Sequence, residues 1–243
     1  MTKQISLEEY VTSQSFYSRR EFLSLIKEKK VFVNEELVLD LKFLITPSVD
    51  SIKVNGVYIE HRYEYMYFKF YKPKGILSTM KDPSGRDCIG DYITKFGKPV
   101  MPVGRLDRHS NGLMILTNDG EFSNLLMHPS YKIEKEYYVK LDRYLEKRDL
   151  ARLEKGLILD DGPVCFSNVS LFRSRNELMV TIAEGRNRIV RRAFDHLGYQ
   201  VKSLKRERIG TFLLTDMKEG DIKPLFKKEV TEFKKYAEKT TLD

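Results

Sequence analysis

The apolar residues of this 243-residue chain occur in short segments, and from residue 65 onward their order lacks the regular strand–helix rhythm of a parallel sheet. The longest unbroken apolar runs are four residues long, at 65–68 and 113–116. A membrane-spanning helix needs about 18 apolar residues in a row. The pattern therefore predicts an α+β fold with a mixed, largely antiparallel sheet and flanking helices, and no membrane span.

Segments rich in β-branched and aromatic residues predict strands at 65–71, 113–117, 133–141, 165–172, 178–183 and 199–206. Apolar residues at helical spacing predict helices at 90–96, 121–127, 146–155, 187–197 and 229–238. Gly156 and Gly198 follow two of these helices, where glycine commonly ends a helix.

The first sixty residues are expected to form a separate small module. Ser-Leu-Glu-Glu at 6–9 and Ser-Arg-Arg-Glu at 18–21 each have the pattern of a capping box, which starts a helix. Residues 31–38 and 51–59 predict pairs of short strands, the second pair joined at Asn55-Gly56. Because an aromatic strand begins and the charge balance changes just beyond, we expect domains at 1–60 and 61–243.

Positive charge is concentrated in the second region. The chain carries 43 Lys and Arg against 35 Asp and Glu, whereas its first sixty residues have a net charge of −1. A basic cluster holds eight of these cations: Arg186, Arg188, Arg191, Arg192, Lys202, Lys205, Arg206 and Arg208. That density favours nucleic-acid binding over a solvated basic face. No large apolar face accompanies the cluster, which argues against a membrane surface.

Redox and metal chemistry have no matching residue pattern. The only cysteines, Cys88 and Cys165, cannot build a disulfide framework, and the four histidines lack metal-ligand spacing. No glycine-rich phosphate-binding loop is present. The first residues have no apolar signal segment and are too acidic for a transit peptide. We expect a cytoplasmic protein that needs neither metal nor cofactor.

The first module resembles the small S4-like RNA-binding domain of a ribosomal protein, tyrosyl-tRNA synthetases and several RNA-modifying enzymes. The similarity rests on residues 18–21, 25–27 and 31–34. It implies that four basic side chains bind RNA phosphates: Arg19, Arg20, Lys27 and Lys30. The alternative is an ordinary amphipathic helix with a solvated basic side. Glu35 stands where the family usually has glycine, in a turn that needs positive φ.

The segment 104–120 is the most informative in the chain. Asp107 lies beside Arg105 on a short loop before a buried apolar strand, and functional residues tend to lie on such loops. Asp119 can cap the helix that follows. The whole string, from Gly-Arg-Leu-Asp to Thr-Asn-Asp-Gly, resembles the signature of bacterial ribosomal RNA pseudouridine synthases of the RsuA and RluB type. In that signature the residue at Asp107 is catalytic.

Two further segments match the same family in order and spacing. Lys-Glu-Tyr at 135–137 resembles the second motif, whose tyrosine packs against the target base; the alternative for Tyr137 is a core tyrosine. In a strand, Tyr137 shares a face with Lys135. Residues 184–192 resemble the third motif, in which Arg191 pairs with the catalytic Asp. A helical wheel places Arg191 opposite the apolar face.

The resemblance covers nearly the whole chain and implies an S4-like domain at 1–60 followed by a pseudouridine synthase domain at 61–243. Asp107 would be catalytic, with Arg105, Tyr137 and Arg191 as active-site partners. The implied reaction is site-specific isomerisation of uridine in ribosomal RNA or an assembly intermediate, by a monomer. Further RNA contacts are expected from Arg186, Arg188, Arg192, Arg206 and Arg208, the last two outside the active site.

Two other functions stay open at this point. A non-catalytic RNA-binding or ribosome-assembly factor could retain the same fold, although it would not need Asp107, Tyr137 and Arg191 together. A hydrolase with paired carboxylates would need Asp107 and Asp119 at one cleft.

Overall fold

The computed structural model describes residues 4–47, 49–61 and 64–240. Its N-terminal part has a hydrophobic core of its own. This part contains helices α1 (Leu7–Gln14) and α2 (Arg19–Lys27) and strands β1 (Ile5–Ser6), β2 (Val31–Val33), β3 (Glu36–Leu37), β4 (Leu44–Ile45), β5 (Ile52–Val54) and β6 (Val57–Ile59). The order β3-β2-β5-β6 forms one antiparallel sheet, and β1 pairs with β4.

The two predicted capping boxes differ in the structure. At the start of α2, the Glu21 amide donates to the Ser18 hydroxyl and the Ser18 amide donates to the Glu21 carboxylate, over 3.2 and 2.8 Å. At α1, the Ser6 hydroxyl accepts from the Glu9 amide. The Glu9 carboxylate instead accepts from the hydroxyl of Tyr65, 2.5 Å away. The capping box of α1 is therefore only half formed, because the Glu9 carboxylate binds a tyrosine distant in the chain and not the Ser6 amide.

The turn at Asn34 and Glu35 has positive φ at both residues, 50° and 65°. The Asn34 side chain donates to Asp50 and accepts from the Ser51 amide. The Glu35 carboxylate accepts from the Tyr58 hydroxyl over 2.5 Å. These side-chain bonds hold the left-handed conformation that glycine would adopt without strain.

The rest of the chain adds eleven strands and five helices among the described residues. The strands are β7 (Tyr67–Lys72), β8 (Met101–Val103), β9 (Asn111–Thr117), β10 (Lys135–Leu141), β11 (Leu157–Leu159), β12 (Gly162–Val164), β13 (Asn168–Leu171), β14 (Glu177–Ile182), β15 (Val201–Ile209), β16 (Phe212–Leu213) and β17 (Ile222–Pro224). The helices are α3 (Ile89–Phe96), α4 (Gly120–Met127), α5 (Lys147–Lys155), α6 (Ile189–His196) and α7 (Lys227–Thr240).

Nine of the described strands form one sheet, with the order β13-β14-β10-β15-β9-β7-β17, β8 on β9 and β16 on β15. The junction of β9 with β15 is parallel, and the other pairings in this sheet are antiparallel. The predicted α+β fold with a mixed, largely antiparallel sheet is therefore confirmed.

Helices cover both faces of this sheet. Strand β9 sends Met114 and Leu116 to one core and Leu113 and Ile115 to the other. Helices α3, α5 and α6 pack on the first face, and α4 and α7 on the second. Burial on both faces explains the unbroken apolar run at 113–116, since neither side of the strand meets water.

Each strand and helix predicted after residue 65 is present, with ends that differ by at most three residues. Strands β8, β16 and β17 and the hairpin of β11 and β12 were not predicted. Segments of two or three residues are too short to show a periodic apolar pattern.

Candidate active site

A cleft with a volume of about 700 Å³ opens at the edge of β9, β10 and β15. Its walls come from the loop before β9, the end of α4, the strands β10 and β15, and the turn before α6. The cleft brings together six of the predicted site residues: Arg105, Asp107, Tyr137, Arg186, Arg188 and Arg206.

Asp107 lies on the loop before β9 with its side chain 25% exposed. Two guanidinium groups approach its Oδ2 atom: Nη1 of Arg188 and Nε of Arg191, each at 3.8 Å. These distances exceed hydrogen-bond length. The structure thus places Arg191 beside Asp107, as the sequence predicted, and leaves the carboxylate oxygens open to a ligand.

A buried lysine fixes the loop that carries Asp107. The Nζ atom of Lys72 donates to the backbone carbonyls of Pro73, Ser110 and Asp107, at 2.9, 3.0 and 3.4 Å. Burial lowers the pKa of Lys72 to about 8, although the nearby Asp107 opposes this shift. Sequence reasoning did not identify Lys72 as a site residue; its only signal was the Lys-Pro pair before the first motif.

Arg191 is buried, although the helical wheel places it opposite the apolar face of α6. Its Nη1 donates to the carbonyl of Val201, and its Nη2 donates to the carbonyl of His109 and the hydroxyl of Ser110. Burial lowers the pKa of Arg191, and the like charge of Arg188 adds to the effect. A helical wheel gives only the direction of a side chain around the helix axis. It does not predict that carbonyls from other segments satisfy this charged group inside the protein.

Tyr137 lies on β10 with its ring both in the core and on the cleft wall. Lys135, two residues earlier, lines the same wall. This shared face agrees with the strand periodicity.

A β-bulge decides where two of the predicted RNA contacts point. Across β10 and β15, Tyr137 pairs with Arg206 and Glu136 pairs with Arg208, so Glu207 has no partner in this ladder. The two arginines therefore point to opposite faces of the sheet. Arg206 is 5% exposed and lines the cleft. The prediction that Arg206 lies outside the active site is wrong, because no feature of the residue pattern in β15 indicates the bulge.

Ion pairs neutralise several cations of the basic cluster. Arg208 approaches the carboxylates of Glu134 and Glu136, at 3.2 and 3.7 Å. Arg186 and Arg192 share Asp161, at 2.8 and 2.7 Å. Their predicted RNA contacts therefore compete with these internal pairs.

The predicted RNA-binding residues of the first module are all exposed. Arg19 pairs with Glu8, and Lys30 pairs with Glu28. Arg20 and Lys27 form no ion pair with any residue that the structure describes.

Asp119 does not reach the cleft. Its carboxylate accepts from the Phe122 amide at the start of α4 and from the Tyr67 hydroxyl, at 2.9 and 2.6 Å. The predicted helix cap is confirmed, and a hydrolase built on Asp107 and Asp119 is excluded.

Within residues 4–47, 49–61 and 64–240, no group of three or more His, Cys, Asp or Glu side chains is placed to hold a metal. None of the helices in these ranges has the length and apolar character that a membrane crossing requires.

Residues 66–196, more than half of the chain, match the family model described as RNA pseudouridylate synthase. The chain belongs to this family. The matched segment of this pseudouridine synthase includes Asp107, Tyr137 and Arg191, and ends within α6.

Full-length relatives support this membership. A Bacillus subtilis (strain 168) protein named ribosomal large subunit pseudouridine synthase B is 38% identical over 237 residues, which cover 96% of each chain. An Aquifex aeolicus (strain VF5) protein named uncharacterized RNA pseudouridine synthase is 33% identical, over 92% of this chain and 94% of its own. The family membership predicted from the three motifs is confirmed, and an enzyme is favoured over a non-catalytic factor.

Solved structures share the fold. A crystal structure of a pseudouridylate synthase superposes on this synthase with a TM-score of 0.67 and 27% identity, over 94% of this chain and 99% of that one. An H/ACA ribonucleoprotein bound to a substrate RNA containing 2′-deoxyuridine gives a TM-score of 0.51 at 15% identity, over 69% of this chain and 61% of that one.

Proposed function

We propose that this synthase converts a specific uridine of ribosomal RNA into pseudouridine, with Asp107 as the catalytic residue. The availability of the Asp107 carboxylate supports this role. Of the two carboxylates that line the cleft, Glu184 is engaged by Arg186 at 2.5 and 3.1 Å. Within the described part of the chain, the carboxylate of Asp107 has no charged partner nearer than Arg188 and Arg191, each at 3.8 Å. The name of the Bacillus subtilis relative supports ribosomal RNA as the substrate.

The reaction breaks the bond between C1′ and N1, turns the uracil and rejoins it through C5. These atoms are inaccessible in a stacked helix, so the nucleotide must flip into the cleft at a cost of a few kcal/mol. Stacking on Tyr137 would offset part of this cost, since base–aromatic stacking is worth about 1–3 kcal/mol. A cavity of about 700 Å³ is large enough for a nucleotide. Asp107 then attacks C1′ or accepts the 2′ proton.

The N-terminal module, residues 1–60, would dock the RNA as an S4-like domain, and residues 61–243 would perform the chemistry. The separate core of the module supports this division. The exposed Arg20 and Lys27 of α2 are available for phosphates. We place the enzyme in the cytoplasm, acting as a monomer.

Mapping pseudouridines through their carbodiimide adducts tests this proposal. Ribosomal RNA from cells with and without the gene is compared, and RNA from the deletion strain is then treated with the purified protein. We expect one adduct position to disappear on deletion and to return on treatment. An unchanged map would contradict the proposal.

A further inference from the structure

A buried arginine and a half-buried lysine flank Tyr137 on the cleft wall. Arg206 is the register partner of Tyr137 across β10 and β15, and side chains that face each other in this way have Cβ atoms about 4.5–5.5 Å apart. Lys135 lies two residues before Tyr137, on the same face of β10. Both line the cleft.

Neither cation has a counter-ion among the residues that the structure describes. The Nε of Arg206 donates to the Leu113 carbonyl at 2.7 Å, but its buried Nη2 has no hydrogen-bond partner in the described part of the chain. Among the residues that the structure describes, Lys135 donates only to the Ile133 carbonyl. Burial, together with the charge of Arg206, lowers the pKa of Lys135 to about 8.

Such an arrangement is unfavourable in the free protein. Buried charges are normally paired, and a buried polar atom without a partner loses its hydration without gaining a hydrogen bond. Two like charges side by side add repulsion. An oxygen-bearing ligand with negative charge would relieve all three costs.

We propose that Arg206 and Lys135 bind the carbonyl oxygens of the target uracil and stabilise the negative charge of the ring after its detachment from the ribose. This inference rests on the proposed function. Position favours the base over a phosphodiester: both cations are immediate neighbours of Tyr137, on which the base would stack.

The charge arises from the reaction itself. When the C1′–N1 bond breaks, both of its electrons stay with the uracil, which becomes a monoanion delocalised over N1 and the carbonyl oxygens. When C5 attacks C1′, an electron pair of the ring forms the new C–C bond. On the ribose, the C1′–O bond to Asp107 breaks if Asp107 had attacked C1′, or C2′ regains the proton that Asp107 had accepted. C5 then releases its proton and N1 gains one, so the net change is an isomerisation. Donors preorganised for the anion stabilise the transition state more than the substrate.

Single-turnover kinetics with Lys135→Gln and Arg206→Gln test the role. Loss of one such donor typically slows chemistry about 10²–10³-fold. We expect a slowing of at least about 10²-fold by each variant, with an equilibrium Kd for RNA within about threefold of wild type. Lys135→Arg, which keeps a cation, should recover most of the rate.

Lys205→Gln is the matched control. Lys205 directly precedes Arg206 on β15, points to the other face and pairs with Glu207 at 2.6 Å. Its replacement should leave the single-turnover rate at the wild-type value. Thermal unfolding of all variants checks that the fold is kept. If Arg206→Gln does not fold, the pair Lys135→Gln and Lys135→Arg decides the question.

Synthetic RNA with 2-thiouridine or 4-thiouridine at the mapped position identifies the atoms. Sulfur accepts hydrogen bonds more weakly than oxygen, so one of these substitutions should slow the wild-type enzyme. The same substitution should slow Arg206→Gln or Lys135→Gln much less, because contacting groups have non-additive effects.

Two results would overturn the inference. Wild-type rates for both glutamine variants would assign the cations a structural role. Weaker RNA binding, with a salt slope reduced by about 0.7–0.9 per cation, would assign them to a phosphodiester. Both results require an active wild-type enzyme. Failure of the proposed function would instead show as wild-type protein that forms no pseudouridine.

Discussion

Asp107 reaches the cleft from a loop whose two ends are held by one ammonium group. Lys72 donates to the carbonyl of Asp107 at the start of the loop and to that of Ser110 at its end. Arg191 donates to the carbonyl of His109 between them. The carboxylate is thus positioned by backbone contacts that do not involve its own oxygens.

Replacing Asp107 with asparagine should abolish isomerisation and preserve the fold. The amide has nearly the same shape as the carboxylate but no charge, and the loop contacts use backbone carbonyls. We expect no release of tritium from RNA that contains 5-tritiated uridine, with RNA affinity close to wild type. Release above the protein-free background would remove Asp107 from its proposed role.

Replacing Lys135 with methionine should stabilise the protein near neutral pH while impairing catalysis. The pKa of Lys135 falls from 10.5 in its ordinary state to about 8 in the folded protein. Below about pH 8 the folded protein partly buries a charge that has no counter-ion among the described residues. Between about pH 8 and 10.5 only the unfolded chain keeps the proton, so wild-type stability recovers as the pH rises.

Urea unfolding of wild type and Lys135→Met at about pH 7 and about pH 9.5 measures this effect. The advantage of the variant should be largest at the lower pH and shrink at the higher one. A constant difference would show that Lys135 is not buried as a charged group.

The sequence predicted some residues of the site and missed others for a physical reason. Asp107, Tyr137 and Arg191 lie in contiguous motifs, so their neighbours in the chain identify them. Lys72 and Lys135 owe their properties to burial and to residues distant in the chain. Lys72 binds the Ser110 carbonyl, and Arg206 adds to the lowering of the Lys135 pKa. Burial of a lysine cannot be read from local sequence, because most lysines lie at the surface.

At the scale of elements, the cleft depends on the close approach of β9 and β15. Gly112 and Arg206 are register partners in this parallel junction. Gly112 has a φ of +113°, and a Cβ atom there would lie 2.4 Å from the backbone oxygen of Arg206. Only glycine fits this position without moving one of the strands.

Gly112→Ala should therefore destabilise the protein by more than the about 1–3 kcal/mol expected from backbone strain. The added clash would also separate the Asp107 loop from Arg206 and reduce activity. Gly120→Ala, at the first position of α4 with no atom within 4 Å of the new Cβ, is the control. It should be neutral or stabilising by up to about 1 kcal/mol in urea unfolding. Equal effects of the two changes would contradict this account.

Elements of four or more residues were predictable because their apolar periodicity is long enough to recognise. The bulge opposite Tyr137 was not predictable, because the sequence of β15 looks the same whether or not Glu207 is paired with β10. One unpaired residue nevertheless sends Arg206 into the cleft and Arg208 away from it.

At the scale of the whole molecule, the number of basic residues in the sequence exceeds the number of exposed, unpaired cations that RNA could contact. In the cluster of residues 186–208, Arg186, Arg192, Lys205 and Arg208 form ion pairs. Arg191 and Arg206 are buried. The net charge of +8 therefore overstates the positive charge that is exposed near the cleft.

The first module offers a direct test of RNA docking. Replacing Arg20 and Lys27 with glutamine should raise KM, leave kcat unchanged and flatten the salt dependence of binding by about 0.7–0.9 per residue. Replacing Arg19 and Lys30, which are already paired with Glu8 and Glu28, removes the same charge. This control pair should have a smaller effect. A fall in kcat with unchanged KM would indicate that the module shapes the cleft instead.

The position of β15 also sets the order in which the enzyme can mature. It follows β9 and β10 in the chain yet lies between them in the sheet. During synthesis the Asp107 loop and Tyr137 leave the ribosome early, but the strand that joins their two halves of the sheet arrives only with residues 201–209. Long-range strand pairing of this kind forms late in folding. A nascent chain that lacks β15 is thus expected to be inactive, and catalysis can begin only after residues 201–209 have joined the two halves of the sheet.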